Sequence, residues 1–148
     1  RNVLARLPGR ARPEEHVIYI GHWDHLGIDA SLEGDTIYNG AQDNASGISG
    51  LLELAEAFSS LPRPPERSVL FLALTAEEQG LLGSRHYAAD PAWPLSESVA
   101  VINVDGLNIF GPTRDIVVVG HGRSELDAVV AVAAANRDRT LRPDPEPE

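Results

Sequence analysis

The chain has 148 residues, 43% of them apolar. That suffices for one real core, and with no repeat or composition break the expectation is a single domain over residues 1–148. Its 22 acidic residues stand against 12 basic ones, all arginine, for a net charge of −10, so no clustered positive charge exists to bind nucleic acid. Cysteine is absent, which excludes disulfides and thiolate metal sites, and no apolar run of about 18 residues could span a bilayer.

In chain order, strand-length apolar runs occur at 2–7, 17–21, 68–74, 99–104 and 116–119. Being continuous rather than alternating, most are expected to be buried on both faces. Ile48, Leu51, Leu52, Ala55 and Phe58 recur at helical spacing over 46–60, and Pro62, Pro64 and Pro65 end that helix. Further helices are expected over 80–89 and 124–136. Strands alternating with helices predict crossover connections and an α/β three-layer sandwich, with a mostly parallel mixed sheet and helices on both faces.

Ligands gather at the carboxyl ends of strands in such sheets, and here those ends are polar. The second run leads into His22-Trp23-Asp24-His25, the third into Thr75-Ala76-Glu77-Glu78 and the fourth into Asp105-Gly106, while Asn39-Gly40-Ala41-Gln42-Asp43-Asn44 precedes the first helix. In an extended H-x-D the carboxylate of Asp24 lies on the side of the His22 imidazole and can orient it, although H-x-D alone is more often a surface histidine at a strand end. His25 reads as a local structural histidine rather than a ligand. Asp43 alone suits a turn or helix cap, but Asn44 or Ser46 can cap instead and leave Asp43 free to face a cation. Adjacent carboxylates at a buried strand end, Glu77 and Glu78, resist desolvation unless a cation compensates them; the bland alternative is the first turn of a helix. Asp105 alone would be a turn former.

Convergence changes that reading. His22, Asp43, Glu78 and Asp105 together offer the imidazole and carboxylate ligands that suit zinc, and manganese or cobalt could take the same set. Two zinc ions carry +4, against −4 for three carboxylates and a hydroxide. Two cations about 3.5–4 Å apart can activate a water and polarise a carbonyl, the chemistry of amide hydrolysis. Glu77, beside a ligand but pointing differently, suits the proton carrier.

Four motifs in order, GHWDHLG at 21–27, NGAQDNASG at 39–47, TAEEQGLLGS at 75–84 and INVDG at 102–106, resemble the co-catalytic di-zinc aminopeptidases. That family includes bacterial leucyl aminopeptidases and glutamate carboxypeptidase and, more distantly, glutaminyl cyclases and transferrin receptors. The resemblance implies His22 and Asp105 on one zinc, Glu78 on the other, Asp43 bridging, Glu77 as general base and Asp24 orienting His22. It also implies a cis peptide at Asp43-Asn44, peptide substrates with a free amino terminus and an extracytoplasmic location. The family's fifth ligand is a histidine in a later segment that Arg142-Pro143-Asp144-Pro145 approaches, and neither His86 nor His121 sits in that context. The chain is therefore expected to be a C-terminally truncated piece, separated from an accessory domain in its parent, holding one zinc or none and impaired or inactive by itself. The competing readings are a non-catalytic binding domain of the transferrin-receptor kind and a glutaminyl-cyclase-like acyltransferase working with one zinc.

Overall fold

The computed structural model describes residues 1–145 and divides into two compact units, Arg1–Leu107 and a second that begins at Asn108. The first unit runs β1 (Val3–Leu7), β2 (Arg12–His22), β3 (Gly27–Ile28), β4 (Ile37–Tyr38), α1 (Gly47–Ser59), β5 (Arg67–Leu74), α2 (Leu82–Ala89) and β6 (Ser98–Asn103). A four-stranded sheet has the order β1-β5-β2-β6. β2 pairs in parallel with both β5 and β6, and β1 lies antiparallel on β5, which makes the sheet mixed.

The unbroken apolar run of β5 is read by the fold as two interleaved faces. Leu70, Leu72 and Leu74 pack with Ile18 of β2 and Tyr87 of α2. Val69 and Phe71, one residue out of phase, pack with Leu51 of α1, and Tyr19 and Phe58 join them. Because strand side chains alternate, a strand covered by a helix on each side must be apolar throughout, as the sequence predicts for a parallel α/β sheet. Leu70 and Leu72 are essentially inaccessible, and each such side chain contributes about 1.5–3 kcal/mol by leaving water.

β2 begins five residues before its apolar run. Its polar half stays in the sheet through ion pairs: Arg12 meets Glu66 at 2.7 Å and Glu15 at 3.5 Å, and Glu15 also takes the Arg67 guanidinium. Charge pairing of this kind leaves no trace in an apolar pattern. The two-residue strands β3 and β4 pair antiparallel and are too short to give a periodicity.

One buried amide ties α1 to the carboxyl end of β6. Asn44 Oδ1 accepts from the N–H groups of Gly47 and Gly106, each at 3.0 Å, and its Nδ2 donates to the Val104 carbonyl at 3.0 Å. Position 47 has no room for a side chain, since a Cβ would lie 2.5 Å from the Val104 carbonyl oxygen. Asn44→Ala is expected to strand three backbone groups, at about 1–3 kcal/mol for each one left unpaired. Urea unfolding should therefore show a loss of at least about 2 kcal/mol at unchanged m-value; a loss below about 0.5 kcal/mol would mean that the amide is not the tie it looks to be.

The second unit is a strand–helix–strand element. β7 (Asp115–Val118) and β8 (Thr140–Pro143) pair in parallel, with α3 (Leu126–Ala135) between them in sequence. Asp115 and Arg142 meet across the pair at 3.0 Å. β8 is unexpected from sequence because Thr140-Leu141-Arg142-Pro143 carries a single large apolar residue and ends in proline.

Candidate metal centre

β2, β5 and β6 are parallel, so their carboxyl ends lie along one edge of the sheet. His22 is the last residue of β2, paired with Leu74 at the end of β5, and Asp105 follows two residues beyond β6. Asp43 reaches the same edge from the segment before α1, where it takes a non-helical conformation (φ −108°, ψ 98°) and the Asp43–Asn44 peptide is cis. Its neighbour Asn44 makes the cap-like bond to Gly47, so Asp43 has no capping duty.

The His22 ring is 4% exposed. Its Nδ1 bonds the main-chain carbonyl of Asp24 at 3.0 Å, which fixes Nδ1 as the protonated nitrogen and leaves Nε2 to face the site. The orienting contact thus comes from the backbone of Asp24: its carboxylate stands 3.9 Å from Nδ1 and accepts instead from the Glu77 N–H at 3.3 Å. A side chain on the imidazole side of the strand suggested a carboxylate partner, but the bend after His22 brings the carbonyl closer.

His22 Nε2 lies 3.0 Å from Asp43 Oδ1 and 3.4 Å from Asp105 Oδ1. Ligands at zinc–nitrogen and zinc–oxygen distances near 2.0–2.1 Å in a tetrahedral shell are about 3.3 Å apart. The spacing of this trio therefore fits a first-row divalent cation, and so does the donor set. A second trio, His25, Asp43 and Glu78, also has its polar atoms within 4.8 Å of one another, and Asp43 belongs to both. His25 Nδ1 and Glu78 Oε1 are 2.8 Å apart, both sealed from solvent, yet their direction is wrong for a hydrogen bond.

Glu77 and Glu78 sit in a turn closed by bonds from Gly80 and Leu81 to the Glu77 carbonyl, and α2 begins only at Leu82. The helix dipole is therefore no explanation for the pair. Ala76 and Leu81, bracketing the turn, both have positive φ, a conformation that costs a non-glycine residue roughly 1–2 kcal/mol. Asn2 clamps the turn from β1's side, accepting from the Thr75 N–H and donating to the Gly83 carbonyl. Nothing local in the sequence marks Asn2 for that task; the signal is purely tertiary. Glu77 lines a cavity of about 230 Å³ together with His22, Thr75, Asn103 and Asp105.

Burial pushes the His22 imidazole toward lower pKa, but the hydrogen bond to Asp24 and the negative charges of Asp105, Glu77 and Asp43 outweigh it, so the pKa stands above its ordinary value. In the metal-free protein this linkage favours folding while His22 is protonated. The contribution is complete below the unfolded value near 6.5 and is lost as pH rises through the higher folded value. An NMR titration of the metal-free chain is expected to place the His22 midpoint above about 6.5, with the urea midpoint declining as that titration completes. A midpoint below 6.5 would show that desolvation wins.

Comparison with known proteins identifies the family. The model of peptidase family M28 matches residues 2–148. A probable zinc metalloprotease of Pyricularia oryzae is 36% identical over 107 residues, covering 72% of this chain and 19% of its own length. Aminopeptidase NAALADL1 of Mus musculus is 35% identical over 114 residues, covering 74% of this chain and 14% of its own. Among solved structures, BSAP, a zinc aminopeptidase from Bacillus subtilis, superposes with a TM-score of 0.72 at 26% identity over 95% of this chain and 33% of that one. The chain thus spans less than a quarter of these two relatives' length and about a third of the solved structure.

Proposed function

The chain belongs to peptidase family M28, and from that membership we propose that it carries the metal-binding core of an enzyme that hydrolyses amino-terminal peptide bonds. The observation that supports this reading best is the meeting of His22, Asp43 and Asp105, three residues from three separate segments, with ligand atoms mutually within reach of one cation. In this reading His22, Asp43, Glu78 and Asp105 would hold the zinc. Bound zinc would supply Lewis acidity toward the scissile carbonyl and toward water.

The chain's own groups supply the rest. Glu77 lines the cavity beside His22 and Asp105 and is fixed by its N–H to the Asp24 carboxylate. It takes a proton from the attacking water and returns it to the departing amine, so no net proton is consumed by the carboxylate. Asp43 and Asp105 are half-exposed; their negative charge also draws a substrate's α-ammonium group to this edge. Asp24 acts as a positioning residue in two directions, through its carbonyl on His22 and its carboxylate on the Glu77 backbone.

Elemental analysis after dialysis against zinc tests the reading directly. At least one zinc per chain is expected to be retained, and His22→Ala should lose it. Negligible zinc both in this chain and in the whole protein would overturn the peptidase proposal and favour a non-catalytic binding domain.

A further inference from the structure

We propose that Asn39-Gly40 is a self-modification site, at which Asn39 loses its side-chain amide and becomes an aspartyl or isoaspartyl residue shortly before Asp43. The main-chain nitrogen of Gly40 attacks Cγ of Asn39 and gives up its proton. A C–N bond forms, the Cγ–Nδ2 bond breaks, and the amide nitrogen takes a proton and leaves as ammonia. Water then opens the cyclic imide at one or other carbonyl. In sum one water is consumed and one ammonia released, so solvent is the only co-reactant.

Three observations single out this pair. First, Asn39 is exposed just past the end of β4, and its amide is held only by an exposed bond, Nδ2 donating to the Ile37 carbonyl at 3.3 Å. So long a bond is weak, and Cγ can turn toward the next nitrogen. Second, the following residue is glycine, with no Cβ to shield that nitrogen. Among the described residues no hydrogen bond holds the Gly40 N–H, although its carbonyl accepts from the Ala45 N–H at 2.9 Å. Third, every alternative in the chain is blocked. Asp105-Gly106 has the same kind of sequence, but its Gly N–H donates to Asn44 Oδ1 at 3.0 Å. The other five asparagines precede Val3, Ala45, Val104, Ile109 and Arg137, all with side chains. The position matters because Gly40 is closely fitted: at φ +65°, a Cβ there would lie 3.0 Å from the His25 Cβ and 3.2 Å from the Asp43 carbonyl oxygen. An isoaspartyl residue puts an extra methylene into the main chain beside this contact, whereas an aspartyl residue does not. On the metal reading above, on which this consequence alone rests, the isoaspartyl form holds zinc more weakly because the segment carrying Asp43 is displaced.

Incubation of the folded 148-residue chain in mildly alkaline buffer tests this, beside a free peptide of residues 36–43 as the unprotected standard. Peptide mapping by mass spectrometry reads the amide-to-carboxylate mass change at each asparagine, and electron-transfer fragmentation separates aspartyl from isoaspartyl products. Asn39 is expected to convert before any other asparagine, at a rate within about tenfold of the peptide's, as befits a segment that the fold does not protect. Asn39→Gln should abolish the change at this position and leave the rest of the map as it was. The isoaspartyl fraction, isolated by ion exchange, should retain less zinc after dialysis than fresh chain, and incubated Asn39→Gln chain should retain as much as before. Conversion slower than the peptide's by more than about tenfold, or another asparagine converting first, would overturn the proposal. Equal zinc in the isoaspartyl fraction would overturn its consequence for the metal. If fresh chain and whole protein alike hold no zinc, the metal reading fails, while the mass change at Asn39 still decides the modification.

Discussion

Glu77→Gln is expected to lower turnover of an aminoacyl p-nitroanilide by at least about a hundredfold, in any preparation of the protein that hydrolyses it, with zinc content unchanged. The substitution keeps size and the backbone N–H that bonds the Asp24 carboxylate, so the turn that carries Glu78 should hold its shape. In the proposed role it removes the capacity to accept a proton from water in the transition state, an effect that falls on kcat rather than on KM. The combination of retained metal and lost kcat is diagnostic. If the Glu77→Gln enzyme turned over normally, the proton carrier would have to be sought elsewhere; if it lost zinc, Glu77 would be a ligand and not a base.

Much of this site is legible in the sequence because parallel α/β topology converts order along the chain into position in space. Apolar runs end, polar residues follow, and parallel neighbours put those residues on one edge. Hence His22, Asp43 and Asp105 can be grouped before any coordinates, and so can the three layers, since the unbroken run from Val69 to Leu74 needs cover on both sides. Other features escape for identifiable reasons. The start of β2 is held by Arg12, Glu15, Arg67 and Glu66, whose pairing has no periodic signature. The grip of Asn2 on the Glu77–Glu78 turn spans more than seventy residues of chain. His25 stands three residues from His22, and only the meeting of β4, the Gly40 turn and the β5 end distinguishes it from a surface histidine. Asp24 shows how pattern and geometry can assign one residue by different atoms, since H-x-D suggests its carboxylate while the fold uses its carbonyl on the ring.

Asp43→Ala is expected to abolish zinc retention by this chain. Among the described residues, Asp43 belongs to both groups whose side chains could hold a cation, so its removal leaves two side chains in each. Two ligands are too few for a retained ion under dialysis, whereas three with an open position are a working minimum. The negative charge that would attract any bound cation is lost as well. Asp43→Asn separates the two contributions, because it preserves an oxygen donor and the shape of the segment before α1 while removing charge. Zinc per chain should fall below about a tenth for Asp43→Ala, with Asp43→Asn keeping the His22 position preferentially. The fold should survive in both variants, since the tie between α1 and β6 runs through Asn44 and not through Asp43. Far-ultraviolet circular dichroism alongside elemental analysis checks this, and unchanged metal content in a folded Asp43→Ala protein would remove Asp43 from the site.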